Sequence, residues 1–375
     1  MDHSGRLRRL QASLADHELD ALLVTHLPNV YYLSGFTGSA AALLVAERAC
    51  ILFTDGRYKT QAKQELQKAK VHPVSIVIAR QAPAVAAAEG FAACRRHAHS
   101  LSRSLSLSLG IEPQAITAAM RDRLAAVLRG RQKVRLRSAP PFLDRARMVK
   151  DAIEIARIRR AVELGASLFS TAREKIQPRV REVEVAAAME YQARCGGAEG
   201  MSFPTILASG PRSAIVHGRA SSARIPRRGF VVCDFGVILG AYCSDRTRTV
   251  HVGRPSGEAR QLYAAVLEAQ LAAIATVRPG VTAAEVDAAA RRVLRQRKLA
   301  RYFTHSTGHG LGLEIHEAPR LAAGQSQILE PGMVVTIEPG VYVPGKWGVR
   351  IEDVVVVTSS GCEVLTPTDK ELLVL

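Results

Sequence analysis

Residues 178–188, PRVREVEVAAA, return at residues 279–289 as PGVTAAEVDAA, with Pro178/Pro279, Val180/Val281, Glu184/Glu285, Val185/Val286, Ala187/Ala288 and Ala188/Ala289 in register. A helical pattern precedes each proline, and Leu262, Val266, Ile274 and Val277 form the apolar stripe of the second one. Pro and Val then open a further helix in each copy. Downstream, each copy reaches a hairpin pattern carrying acid-x-Gly, Asp234-Phe235-Gly236 in the first and Glu338-Pro339-Gly340 in the second. A second acid follows on each return strand, Asp245 and Glu352. This half of the chain reads as one α/β unit written twice, presenting two pairs of carboxylates to one central site.

The remainder is large enough for a domain of its own, since 375 residues exceed the ~100–200 of a single typical domain. Residues 1–140 alternate helical patterns (4–17, 57–69) with strand patterns (Leu19–Val24, Ala41–Val45, Ala49–Phe53, Val74–Ile78), as expected of an α/β domain. In the serine-rich run from Ser100 to Ser108, Leu101, Leu105, Leu107, Leu109 and Ile111 share one parity, which predicts a half-buried strand rather than a linker. Pro140-Pro141 punctuates the chain before a long helical pattern starting near Arg145. The expected division is therefore an N-terminal α/β domain, 1–140, and the duplicated α/β (α+β) domain, 141–375.

Composition excludes several classes. Asp2, Arg6, Arg8, Arg9, Asp16, Glu18 and Asp20 leave no room for the apolar core of a signal peptide, and no run approaches the ~18 apolar residues of a membrane span. A cytoplasmic chain is expected. Cys50, Cys94, Cys195, Cys233, Cys243 and Cys362 are too scattered for a zinc ribbon or a disulfide framework and read as reduced, mostly buried thiols. The net charge of +17 raises the question of an anionic partner. Arg129, Arg131, Lys133, Arg135 and Arg137 would line one face of an extended strand. That stripe lacks the interleaved aromatics of a single-strand nucleic-acid platform and is read as a solvated sheet edge, without nucleic acid.

The chemistry concentrates in three segments. Within 231–250, VVCDFGVILGAYCSDRTRTV, two strands around the Gly236–Gly240 region would bring Asp234 and Asp245 together across a ladder. Inward-facing carboxylates repel one another and resist burial, and a metal resolves the conflict. The second hairpin repeats the arrangement with Glu338 and Glu352, and strand alternation puts Arg350 on the face of Glu352. His309, in HSTGHGLGLEIHE (305–317), adds one imidazole. Two divalent ions balance four carboxylates, whereas one leaves the cluster anionic. Oxygen-rich ligation suits Mn²⁺, Co²⁺, Fe²⁺ or Zn²⁺ in a two-metal site, so Cys233 and Cys243 are read as packing residues. The glycines of GHGLG lack a phosphate-loop pattern and are read as allowing close backbone packing.

These residues resemble the pita-bread-fold metallopeptidases: Xaa-Pro dipeptidase (prolidase), aminopeptidase P and methionine aminopeptidase. The elements are DFGVILGAYCSDRTRT, HSTGHGLGLEIHE, EPGVY and GVRIED in the C-terminal half, with NVYYLSGFTGSAA and FTDGRYKTQA resembling the non-catalytic domain of the prolidase and aminopeptidase P branch. The resemblance implies that Asp245 and Glu352 bridge two metal ions, that Asp234 holds one, and that His309 and Glu338 hold the other. It further implies a hydroxide nucleophile between the ions, with Glu338 shuttling its proton. His217 in IVHG and His316 in EIHE match the outer histidines that orient substrate and stabilise the oxyanion. His305 and Arg350 match further substrate-side positions. His305 reads equally as a structural histidine, and Arg350 as a counter-charge to a neighbouring carboxylate.

The resemblance implies hydrolysis of an Xaa-Pro bond in a dipeptide or short peptide, two Mn²⁺ or Co²⁺ ions per chain, and a homodimer. The single N-terminal domain favours dipeptidase over aminopeptidase P. Methionine aminopeptidase leaves residues 1–140 unaccounted for. Creatinase-like chemistry on small metabolites and non-enzymatic binding relatives both go with altered metal ligands, and all five are intact here.

Overall fold

The computed structural model describes residues 1–71, 73–94, 107–129, 134–366 and 369–375, which form two compact units, Met1–Ala146 and Arg147–Leu375. The unit boundary thus falls a few residues past the Pro140-Pro141 punctuation. Among the described residues no helix is long and apolar enough to cross a membrane.

The first unit is built on a six-stranded sheet, in spatial order Ser75–Ile78, Ala49–Thr54, Ala41–Ala46, Ala21–Val24, Leu107–Ile111 and Val134–Ser138. Ala41–Ala46 and Ala49–Thr54 form a hairpin in register from Ala41↔Thr54 to Ala46↔Ala49. Because side chains alternate along each strand, Ala21, Leu23, Ala42 and Leu44 bury against the helices Pro83–Cys94 and Ala118–Arg129. Leu22, Leu43 and Val45 are equally buried on the opposite parity. Both faces are covered, and the unit is a layered α/β domain. Of the serine-rich run, Leu107, Leu109 and Ile111 form the strand Leu107–Ile111, while Leu101 and Leu105 lie outside the described residues. Arg131 and Lys133 also lie outside them. Arg135 and Arg137 are exposed on Val134–Ser138, the edge strand of the sheet.

The long helix expected near Arg145 is two helices. Phe142–Met148 is short, and Ala152–Lys175 starts afresh at Asp151, whose side chain accepts from Glu154 N while Glu154 accepts from Asp151 N. That reciprocal cap satisfies two backbone donors and fixes the new start. Between the helices Val149 bridges to Met333.

The sequence repeat is a structural repeat. Helices Ala152–Lys175 and Glu182–Cys195 open the first half, and Gly257–Thr276 and Ala283–Gln296 open the second. The repeated Glu184 and Glu285 each reach back to the helix start, accepting from Arg181 N at 2.7 Å and Thr282 N at 2.8 Å. The repeated Pro-x-Val makes the same backbone pairs twice: Arg179 N to Ile225 O with Ile225 N to Val180 O, and Gly280 N to Leu329 O with Leu329 N to Val281 O. Both middle residues are left-handed, Arg179 at φ +74 and Gly280 at φ +85, so only the second copy has the residue that adopts this conformation without steric cost.

Each half then builds a matching sheet core. In the first, Ile206–Ser209, Gly229–Asp234 and Thr247–Val252 are adjacent; in the second, Gly308–Gly310, Val334–Ile337 and Asp353–Val357 are adjacent and flanked by Glu317–Leu321 and Cys362–Val364. Between the last two core strands of each half the chain makes a smaller hairpin, Val237–Leu239 with Tyr242–Cys243 and Gly340–Val343 with Trp347–Arg350. Residues 231–250 therefore form parts of four strands rather than two. The turn is made by Gly240 and Ala241, both left-handed at φ +59 and +69. Asp234 pairs with Thr247, and Asp245 sits just before the return strand rather than on it.

Candidate metal centre

All four sequence-predicted acids come from chain segments where a core strand gives way to the inner hairpin or resumes after it. Asp234 ends Gly229–Asp234, Asp245 precedes Thr247–Val252, Glu338 follows Val334–Ile337, and Glu352 separates Trp347–Arg350 from Asp353–Val357. Duplication of one strand–hairpin–strand unit thus delivers two acids from each half. His309 is central in the short strand Gly308–Gly310, sandwiched between Glu317–Leu321 and Val334–Ile337. A Cβ on Gly308 would run into the Thr336 carbonyl oxygen, and one on Gly310 into that of Ala318. The GHG glycines are needed for close strand approach.

Asp245, His309 and Glu352 each offer a ligand atom, and these atoms lie within 4.8 Å of one another. His309 Nε2 is 3.5 Å from Asp245 Oδ2 and 3.4 Å from Glu338 Oε1. Its Nδ1 lies 2.9 Å from Gly310 O, so an Nδ1 proton given to that carbonyl leaves Nε2 as the ligating nitrogen. Burial opposes a charge on this ring, but the hydrogen bond with Asp245 and the charge of Glu338 prevail and raise its pKa to about 9. Glu352 accepts from Thr247 Oγ1 at 2.7 Å, and Asp234 is paired with Arg350.

The residues present fit divalent cations. Asp234 Oδ1 is a buried carboxylate oxygen with no hydrogen-bond partner. Burial first, then the neighbouring acids, push Glu352 well above the usual carboxylate range. Burial likewise raises Glu338 to about 7 and Asp234 to about 6, against the opposing pull of His309 and of Arg350 respectively. A cation among these oxygens removes the cost of crowding them. Cys233 is fully buried in the apolar core of the first half and Cys243 is buried; neither joins the cluster. The thiols of Cys50, Cys195, Cys233, Cys243 and Cys362 are free, with Cys195 exposed rather than buried.

The outer residues differ in how they are held. His316 is exposed and its ring packs edge-on to His309 with centroids 4.4 Å apart; partial desolvation of the ring by that packing, then the charge of His309, keeps its pKa below the usual histidine value. His217 is exposed on the loop after Gly210–Ala214, and Val216 O accepts from Arg350 Nη1 at 3.1 Å. His305 has both ring nitrogens engaged, Nδ1 with Ser306 O at 2.8 Å and Nε2 with Tyr342 Oη at 2.9 Å. Burial, then Arg350, lowers its pKa to about 4, so it is neutral near pH 7. Arg350 is buried, donating to Asp234, to Thr247 Oγ1 at 3.0 Å and to Tyr342 Oη at 2.6 Å. Thr247 and Tyr342 were not singled out by sequence, although both lie inside the motifs DRTRT and EPGVY. A polar residue two positions from a predicted ligand acid on an alternating strand is the signal that points to Thr247.

The last anchor is ionic. Glu317 follows His316, accepts from Glu314 N at 3.1 Å, and is paired with Arg147 and, at 3.2 Å, with Lys150.

A duplicated α/β unit that gathers Asp245, His309 and Glu352, with Glu338 3.4 Å from His309 and Asp234 held by Arg350, has the donor set of a metal-dependent enzyme, and sequence comparison gives its family. Residues 156–359 match metallopeptidase family M24, and residues 6–149 match the creatinase/prolidase N-terminal domain. The chain belongs to metallopeptidase family M24, and its second unit has the pita-bread fold. It is 35% identical over 371 residues to the Xaa-Pro dipeptidase of Pyrococcus horikoshii, covering 98% of each chain. Among solved structures, the Xaa-Pro dipeptidase from Bacillus anthracis superposes with a TM-score of 0.90 at 35% identity, over 100% of both chains. The X-Pro aminopeptidase from Thermotoga maritima does so with 0.84 at 34% identity, over 99% of both.

Proposed function

We propose that this metallopeptidase hydrolyses the Xaa-Pro bond of dipeptides or short peptides, with Asp234, Asp245, His309, Glu338 and Glu352 holding two divalent cations. The observation that carries the reading is the convergence of Asp245, His309 and Glu352 within 4.8 Å, beside an orphaned Asp234 oxygen. Asp245 and Glu352 would contribute to holding both cations, Asp234 would help hold one, and His309 with Glu338 would help hold the other. When bound, the cations supply an activated water and polarise the scissile carbonyl. Glu338, whose Oε1 lies 3.4 Å from His309 Nε2 at the edge of the cluster, carries a proton toward the leaving amine. His217 and His316, exposed beside the cluster, bind the substrate and the developing oxyanion. Arg350 holds Asp234 in place, and His305 acts through Tyr342 rather than as a free donor.

The oxygen-rich donor set supports Mn²⁺ or Co²⁺ over a thiolate-loving ion. Residues 1–140 are proposed as a non-catalytic domain before a catalytic domain at 141–375. A homodimer and a cytoplasmic setting belong to the same proposal, the second supported by the free thiols. The testing experiment measures turnover of an Xaa-Pro dipeptide, an Xaa-Pro tripeptide and a matched Xaa-Ala dipeptide during Mn²⁺ and Co²⁺ titration. Metal-dependent cleavage of the Xaa-Pro dipeptide with the Xaa-Ala control spared supports the dipeptidase. Preference for the tripeptide transfers the assignment to aminopeptidase P chemistry, and cleavage of neither Xaa-Pro substrate rejects both.

A further inference from the structure

Glu182 begins the helix Glu182–Cys195 and is fully buried, far from any residue treated above as a ligand in sequence. Its carboxylate is nevertheless saturated with donors. Oε1 accepts from Ser209 N at 2.8 Å and Ser209 Oγ at 2.9 Å; Oε2 accepts from Ser221 N at 3.2 Å and Ser221 Oγ at 2.7 Å. Arg212 Nε adds a charge-assisted bond at 3.1 Å to Oε2. These donors are not scattered. Ser209 ends the core strand Ile206–Ser209, Arg212 lies in the first turn beyond it, and Ser221 lies four residues past His217. One buried carboxylate therefore closes both ends of the loop that carries His217.

The rest of the loop is tied consistently with this clasp. Arg212 Nη2 donates across the loop to Arg219 O at 3.0 Å, and Ser213 Oγ donates to Gly210 O at 2.6 Å while accepting from Gly348 N at 2.8 Å. His217 itself is exposed; its carbonyl accepts from Arg219 N at 2.9 Å, and Gly218 N donates to Ile215 O at 3.0 Å. A side chain that must meet a developing charge loses much of its effect if displaced by about 1 Å.

We propose that Glu182 is a positioning residue for His217: it acts on the reaction by fixing the loop 209–221 and touches neither substrate nor metal. The proposal rests on the role given to His217 above. The chemistry requires a carboxylate, since six contacts are accepted, Arg212 Nε reaching Oε1 at 3.3 Å as well as Oε2, and none is donated; an amide in its place would turn a donor toward groups that are themselves donors.

The test is a double-mutant cycle on the metal-loaded full chain, with metal content and thermal unfolding followed on the same preparations. Glu182→Gln is expected to keep its metal and lower kcat by ~10-fold or more, as expected of a displaced catalytic group. In a His217→Ala background the same change is expected to alter kcat by less than about 2-fold, because coupled residues are non-additive. Ser221→Ala, a milder loosening of the same clasp, covers the case in which Glu182→Gln does not fold. It is expected to lower kcat less in the parent and to have no effect when His217 is absent. A full multiplicative effect of the clasp variants in the His217→Ala background would overturn the proposal, as would unchanged kcat in both variants. If His217→Ala alone retains full turnover, it is the role of His217 that fails.

Discussion

Thr247 and Glu352 join the two halves of the duplicated domain at the metal centre: Thr247 Oγ1 donates to Glu352 Oε2 at 2.7 Å, and Glu352 N donates to Thr247 O at 3.2 Å. The hydroxyl also accepts from Arg350 Nε at 3.0 Å. One buried threonine thus fixes the orientation of a proposed bridging carboxylate and of the arginine that holds Asp234. Thr247→Val keeps the shape and removes the hydroxyl. Metal affinity is expected to fall by ~10–100-fold, the usual size for a group that orients a ligand. Isothermal titration of the metal-free protein with Mn²⁺ measures it; an affinity equal to wild type would show that Glu352 is held by its backbone alone.

Tyr342 couples His305 to Arg350 through one hydroxyl, bonded at 2.9 Å to the imidazole and 2.6 Å to the guanidinium. Tyr342→Phe leaves two buried polar groups short of a partner and is expected to cost about 1–3 kcal/mol of stability. Urea unfolding of the metal-free proteins is the check. A loss under about 0.5 kcal/mol, the size of an ordinary surface change, would mean that the hydroxyl is not a structural link.

Glu317 anchors the segment of His316 through Arg147 and Lys150, and its side chain is buried. Burial raises its pKa, but the two cations outweigh this and hold it below the usual carboxylate value. A depressed folded pKa gives stability that is complete above the unfolded value of ~4.3 and is lost as pH falls through the folded one. Glu317→Gln should therefore be less stable than wild type near neutrality, with the gap closing as the pH drops below about 4. Denaturant midpoints across that range decide it; a gap that stays constant or widens in acid contradicts the assignment.

The basic edge strand is expected to be decoration. Arg135 and Arg137 are exposed, and Arg137 pairs with an exposed Glu18 at 2.9 Å, an arrangement worth ~0–1 kcal/mol. Replacing both with Gln should leave peptide turnover unchanged. Salt-sensitive binding of the wild type to DNA or RNA that the double variant lost would instead make this edge an interaction surface.

Much of this architecture is legible in the sequence. The repeated Pro-x-Val reads as two helix starts, which Glu184 and Glu285 cap in the structure, and the acid-x-Gly pairs mark where strands turn. The inner hairpin at Gly240-Ala241 was hidden, because Ala241 is left-handed without being Gly or Asn. The break before Ala152 is not visible in the pattern, because apolar periodicity runs across Phe142–Met148 into the next helix and only the Asp151/Glu154 cap separates them. Apart from Glu314 N against Glu317, the side-chain partners of Glu182, Glu317 and Tyr342 lie 8 to 170 positions away in sequence, a relation local pattern does not carry.

The central claim is that acids from both halves of the duplication share two cations, and Asp245 is where it is most exposed. Metal analysis of purified wild type and Asp245→Ala, each saturated with Mn²⁺ and then desalted, tests it directly. Wild type is expected to hold about two ions per chain, and the variant to lose substantial amounts of both together with Xaa-Pro dipeptide turnover. Full occupancy in Asp245→Ala would contradict it.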